Sequence, residues 1–246
     1  MGPAKLTGLA RVGAGVTVAT GFFTFVYRPW HTRWGADDEE ARMAMPGDEM
    51  VSRATFSATR AITVRARPEE IWPWIVQVGY GRAGFYAYDV LDLVLPCLFE
   101  ATTNAKRTDC LKRRSADRIV EDLQDVQVGT WIPMAPGKPS RETAFQVRAF
   151  ETNQWMLWEK EASTWCWVLR PLDDLCTRLI SRVRCHYRWN RPTILTDLFL
   201  MELGDFVMMQ KMLRGIRQRA EAVDKSFVRP LEQPDKGPRR VPSQQP

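Results

Sequence analysis

The sequence predicts an α+β fold in which a curved antiparallel sheet wraps around one long C-terminal helix, with a hydrophobic N-terminal segment ahead of it. Three observations carry this. Four segments between Arg141 and Tyr187 alternate as strands do, one long amphipathic segment from about Thr196 to Val223 follows them, and residues 6–27 are largely apolar. A sheet with a helix in its concavity leaves a pocket between the two. The residues expected to line it are mostly Trp, Phe, Met and Leu, which points to binding something greasy more than to cutting something polar.

The elements follow in chain order. In residues 6–27, Arg11 interrupts the apolar run and leaves Val12–Tyr27 clean. That stretch spans about 24 Å as a helix, short of the roughly 30 Å hydrocarbon core; adding Leu6–Ala10, with Arg11 snorkelling, brings it to about 33 Å. A single membrane anchor over 1–27 is the expectation. A signal peptide is the main alternative, although no tidy A-x-A site precedes Arg28, and a buried or peripheral segment is another. Residues 28–57 read as a polar connector, with one or two helical turns at Asp37–Arg42 and a turn at Pro46-Gly47-Asp48. The folded domain is expected over 58–224, and the Pro-rich residues 225–246 as a disordered tail.

Within the domain, Thr59–Ala66 alternates as a first strand. Pro68-Glu69-Glu70 opens a helix, with Pro in the first turn and acids at the positive end of the dipole, and Ile71, Trp74, Ile75 and Val78 form its stripe. Gly79–Gly84 looks like a phosphate loop only superficially, since it follows a helix and lacks G-K-[ST]. Phe85-Tyr86-Ala87-Tyr88 is an aromatic entry to a second short helix at Asp89–Leu95. Pro96–Arg118 reads as a loop insertion with the basic run Lys106, Arg107, Lys112, Arg113, Arg114, either a solvated loop or an anionic-lipid contact. Strands are expected at Val128–Ile132, Thr143–Phe150, Gln154–Glu159, Thr164–Arg170 and Thr177–Tyr187. The last of these separates Leu179, Ser181, Val183 and Cys185 from Arg178, Arg182, Arg184 and Arg188, so the Arg face is expected in solvent and the other inward. In the terminal helix Leu198, Met201, Asp205, Met208/Met209, Met212, Leu213 and Ile216 recur at helical spacing.

Composition excludes several classes of function. The chain has 246 residues, 45% hydrophobic and 26% charged, so it is globular; ten Trp suggest a roomy aromatic interior or a core that simply uses Trp. A net charge of +6 without an aromatic-interleaved basic stripe excludes nucleic acid as the expected partner. Five Cys with no close pair imply reduced thiols and a cytoplasmic domain, a Cys97–Cys110 disulfide staying open if the domain is exported. With only His31, in the connector, and His186, on the Arg face, neither a His-dependent acid–base site nor a His/Cys metal site is expected, and no cofactor is implied. The candidate ligand-binding residues are Phe85, Tyr86, Tyr88, Trp131, Trp165, Trp167, Val183, Asp205, Met209 and Met212. Asp205 stands out, as an acid on the apolar side of the helix that either anchors a polar ligand head or bonds to the sheet.

Several motifs taken together resemble a known group. They are Arg28-Pro29-Trp30-His31-x-Arg33-Trp34-Gly35-Ala36-x-Asp38-Glu39-Glu40, Pro46-Gly47-Asp48-Glu49, Arg60-Ala61-Ile62-Thr63-Val64, Ile71-Trp72-Pro73-Trp74-Ile75-Val76-Gln77, Gly84-Phe85-Tyr86-x-Tyr88-Asp89, Ala116-Asp117-Arg118-Ile119-Val120 and Phe206-Val207-Met208-x-x-Lys211-Met212-Leu213. In order and spacing they are similar to one bacterial subgroup of the SRPBCC superfamily, which includes polyketide cyclases and START-type lipid-transfer proteins. The match covers about residues 28–221. The resemblance implies a helix-grip, START-like fold with a hydrophobic cavity between sheet and last helix, and often a hydrophobic N-terminal segment. It implies no single reaction and carries over no catalytic residue, and the basic insertion at Pro96–Ser115 departs from it.

The expected function is a membrane-anchored protein, single-pass with its domain in the cytoplasm, that binds or transfers a hydrophobic lipid- or polyketide-like molecule. The alternatives are a cyclase, aromatase or dehydratase using Asp205, Tyr86 or Tyr88 to handle protons, and a membrane-linked scaffold whose cavity is vestigial.

Overall fold

The computed structural model describes residues 15, 17–87, 115–135, 137–187 and 200–227. The expected tail beyond 227, the helix at Asp89–Leu95, most of the basic insertion, Cys97, Cys110, Tyr88 and the first fourteen residues lie outside them.

The described residues form six strands, with continuous apolar runs in β4 and β5: β1 (Phe56–Val64), β2 (Trp131–Pro133), β3 (Ala144–Glu151), β4 (Trp155–Lys160), β5 (Ser163–Pro171) and β6 (Thr177–Cys185). They pair antiparallel in the order β1-β6-β5-β4-β3-β2, so the first strand closes on the last. A bulge between Val147 and Ala149 turns Arg148 outward and bends β3. Register aligns Arg60, Ser181, Trp167, Met156 and Phe150 in one row across the inner face, and Ala58, Val183, Trp165, Trp158 and Val147 in the next.

Among the described residues the named α-helices are α1 (Arg28–Thr32), α2 (Asp38–Arg42), α3 (Pro68–Val76) and α4 (Asp205–Phe227). Helical residues 17–22 and a π-helical turn, Phe23–Tyr27, lead into α1, and a second π turn, Leu200–Gly204, leads into α4. Pro68 opens α3, where the Glu70 carboxylate accepts the Arg67 N–H at 2.7 Å. Phe206, Met209, Met212, Leu213, Ile216 and Ala220 form the buried stripe of α4, close to the spacing expected, and Lys211, Arg214 and Arg217 are exposed. That stripe, α3 and the inner face of the sheet share one core.

The outer face of the sheet departs from expectation. The alternation of β6 is as read, but its Arg face is not in solvent. The connector runs across it and closes a second, smaller core of Met45, Ala61, Leu157, Cys166 and Ile180. Arg182, 4% exposed, donates to the carbonyl oxygens of Met43 (2.7 Å), Glu40 (2.8 Å) and Ala41 (3.1 Å), to Asp48 Oδ2 (2.7 Å) and to Thr59 Oγ1 (2.8 Å). Arg178 grips Glu40 through Nε (2.6 Å) and Nη2 (2.8 Å) and donates to the Gly35 carbonyl. Arg184 donates to Val51 O at 3.0 Å. A guanidinium carries five N–H donors, so a row of Arg can satisfy a strap of irregular backbone that offers mostly carbonyls. In α2 the strap has its own brace: Asp37 and Glu40 cap each other's backbone N–H. Gly35 lies at φ +75°, where any Cβ would meet Ala61 O, so the crossing over β1 requires glycine.

The expected single-pass membrane placement, with the folded domain in the cytoplasm, is overturned. Among the described residues no helix is long and apolar enough to cross a membrane. The continuous helical run 17–32 rises about 24 Å, and its last turns belong to the folded domain. His31 and Thr32 are buried, Trp30 packs edge-on against Phe206 at 5.0 Å, and Arg28 pairs with Glu202 at 3.0 Å.

Candidate functional site

The grip between sheet and α4 collects most of the residues expected there. Phe85, Tyr86, Trp165, Trp167, Val183, Met209 and Met212 all belong to the main core. Its centre is occupied by indoles. Trp165 stacks on Trp167 with ring centroids 5.1 Å apart, and Trp158 meets them edge-on at 5.2 and 5.6 Å. Trp165 Nε1 donates to Ser181 Oγ at 2.9 Å, whereas Trp158 Nε1 and Trp167 Nε1 have no partner among the described residues. Trp131 is not part of this group. It pairs with Gln146 on the outer face and borders a separate hollow of about 320 Å³ with Arg148 and Glu159.

Asp205 bonds to the sheet. Its Oδ2 accepts from Arg60 Nη1 at 2.5 Å, and Arg60 Nε donates to His31 O at 2.9 Å. Arg60 lies on the inner face of β1, 1% exposed, with its guanidinium over the Phe206 ring at 5.6 Å. Beside it, Glu202 takes Arg28 Nε at 3.0 Å and Tyr187 Oη at 3.3 Å, and lies 3.3 Å from His31 Nε2. Burial pushes the Glu202 carboxyl up, but His31 and Arg28 outweigh that and hold it below its ordinary value. Burial and the Glu202 charge push the Tyr187 phenol up. This cluster fastens α1 and β1 to the start of α4. The sequence reading placed His31 in a polar connector. The signal for Arg60 was its parity with Ile62 and Val64.

The described cavity that joins the two helices lies at the other end of α4. It has a volume of about 540 Å³, between α3, residues 117–119 and the last turns of α4, and is lined by Trp74, Asp117, Arg118, Ile119, Gln218, Arg219 and Ala222. Tyr86 stands next to it. The Trp74 ring meets Tyr86 edge-on at 5.9 Å, and the Arg219 guanidinium lies over the Tyr86 ring at 4.6 Å. Gln77 Nε2 donates to Tyr86 Oη at 2.8 Å. Burial pushes the Tyr86 phenol up to about 12, against the opposing pull of Gln77 and Arg219. Tyr86 holds φ +54°, a left-handed conformation that few bulky residues adopt, and its carbonyl sits where a Cβ on Gly215 would be. Arg219 completes the wall by donating from Nε to Ala116 O at 2.8 Å and from Nη1 to Gly215 O at 3.2 Å.

Among the described residues no group of His, Cys, Asp or Glu is arranged to hold a metal ion. Cys166 and Cys176 are free thiols, and burial pushes Cys166 up to about 12, so it behaves as a small apolar residue.

No family profile and no curated protein matches the chain in sequence. Solved structures do align with it. MLL2253 from Mesorhizobium loti is 15% identical, with a TM-score of 0.33, over 66% of this chain and 98% of its own. The Polyketide_cyc-like protein Cgl2372 from Corynebacterium glutamicum is 12% identical, with a TM-score of 0.31, over 70% and 93%. A norcoclaurine synthase from Thalictrum is also 12% identical, with a TM-score of 0.31, over 69% and 96%. The order of the described elements is strand, helix, five further antiparallel strands closing on the first, and a long last helix.

Proposed function

We propose that the protein binds a hydrophobic small molecule in the cavity between α3 and α4. The observation that carries this is the cavity's size and wall: about 540 Å³, within the range that holds small ligands, with Trp74, Ile119 and Ala222 offering apolar surface next to the aromatic core. The helix-grip order of elements supports the same reading. Proton handling by Asp205 and Tyr86 together has little support. Asp205 is committed to Arg60, and Gly215, the residue against Tyr86, stands ten positions further along α4, about 15 Å away.

One observation favours a second reading. The packed indoles of Trp158, Trp165 and Trp167 fill the middle of the grip, as in a domain whose ancestral cavity has closed and which serves as a scaffold. Native mass spectrometry of the full chain, with extraction of bound compounds, and titration with the uncharged probe N-phenyl-1-naphthylamine separate the two. The binding reading expects a co-purifying apolar compound or saturable probe uptake that Trp74→Ala weakens. A clean apo mass together with no uptake rejects it and leaves the scaffold.

A further inference from the structure

The lining of the α3–α4 cavity carries charge as well as apolar surface, and the balance is uneven. Among the described lining residues Arg118 and Arg219 contribute two positive charges, Asp117 one negative, and the others none, so one positive charge is in excess among them. Arg118 is exposed, and its guanidinium makes no hydrogen bond or ion pair among the described residues. Asp117, its chain neighbour, likewise makes none and so does not neutralise it by contact. Arg219 is held in place by its two backbone bonds and its seat over Tyr86, and Nη2 takes part in neither bond. A buried indole belongs to the same wall. Trp74 is 2% exposed and its Nε1 has no partner among the described residues, which is unusual for a buried indole N–H.

A cavity with apolar walls, one surplus positive charge and unused N–H donors suits a ligand with a greasy body and one anionic, acceptor-only head. We propose that the molecule bound here is a monoanionic amphiphile, an aliphatic or aromatic carboxylate. Its carboxylate is read at the rim by Arg118, with Arg219 as the pre-positioned second cation. A planar guanidinium matches a planar carboxylate in two parallel hydrogen bonds, which an alcohol or hydrocarbon cannot reproduce. Asp117 at the same rim disfavours a second negative charge on the ligand. The inference rests on the apolar-ligand reading above, and goes beyond it by naming the head group and the residue that selects it.

Three probes of equal chain length test it on the full chain: dodecanoate, dodecan-1-ol and dodecylammonium, followed by intrinsic Trp fluorescence or calorimetry. The expected result is that dodecanoate binds about tenfold or more tightly than dodecan-1-ol, the ratio for one charge-assisted contact. Arg118→Gln removes most of that preference without changing dodecan-1-ol affinity, and Arg118→Glu shifts it toward dodecylammonium. Added salt narrows the wild-type preference, because the contact is at the rim. Equal binding of dodecanoate and dodecan-1-ol, or a preference that survives both substitutions, overturns the proposal while leaving the apolar-ligand reading in place. Failure of all three probes to bind overturns that reading too.

Discussion

Arg60 shares its face of β1 with Phe56, Ala58, Ile62 and Val64, all packed in the main core. A buried guanidinium among such neighbours persists because every bond it makes crosses to another part of the chain: Asp205 at the head of α4 and the His31 carbonyl at the end of α1. Removing one partner of a buried pair leaves the other charge uncompensated, which costs more than the pair contributes. Arg60→Met is therefore expected to lower stability by about 3 kcal/mol. Arg60→Met combined with Asp205→Leu should recover a large part of the loss, both read as urea midpoints. A double variant as unstable as the single one rejects this account. Gly215 sets a second constraint, because Tyr86 O occupies the place of its missing Cβ. Gly215→Ala, ordinarily favourable in a helix, is expected here to destabilise by about 1–3 kcal/mol through forced separation of α4 from Tyr86. A thermal melt at or above the wild-type value would show that α4 yields without cost.

The strap over the outer sheet face is the element whose role is least apparent from its composition. Residues 35–52 mix acidic and apolar side chains; Met45 and Val51 are buried, and the segment's carbonyls accept from three Arg of β6. Arg182 holds four of these acceptors at once, counting Asp48, so Arg182→Ala releases the strap and opens the small core beneath it. The expected signature is a loss of about 3 kcal/mol together with new protease cleavage between residues 36 and 52, the rest of the fold remaining intact. Cleavage spread evenly over the chain would mean that the strap is not a separate unit. The alternation of β6 correctly divided inner from outer residues, since side-chain parity is local. What covers the outer face is not local, and an Arg row bound to carbonyls looks in sequence like an Arg row in water.

At the scale of the whole molecule, two carboxylates link the fold to pH. Burial pushes both Glu40 and Glu202 up, but the Arg178 hydrogen bond to Glu40, and at Glu202 the adjacent His31 and the Arg28 hydrogen bond, bring both below the ordinary value of 4.5. A group whose folded value is the lower one contributes stability above its unfolded value. That contribution is lost as pH falls through the folded value. The urea midpoint should therefore decline on acidification below about pH 4.5. Glu40→Gln and Glu202→Gln should each flatten the decline while lowering stability at neutral pH. An unchanged slope in both variants would place the acid sensitivity elsewhere. The two residues sit at the strap and at the head of α4, so acid loosens the outer and inner coverings of the same sheet.

The sequence by itself determined the α+β class, the strand–helix–strands–helix order, the inward parity of Trp165, Trp167 and Val183 and the buried stripe of α4, because period and parity are properties of consecutive residues. Only the tertiary structure decided that the last turns of the N-terminal apolar stretch pack on α4 and that Trp131 faces away from the grip. It also joined Asp205 to Arg60 and moved the open space from the indole-filled centre to the α3–α4 edge. Apart from the facing of Trp131, which its pairing with Gln146 sets, these outcomes depend on surfaces that meet across more than a hundred residues of chain. Packing, buried charge pairing and the volume of three indoles set them, and none of these is written in the spacing of neighbouring residues.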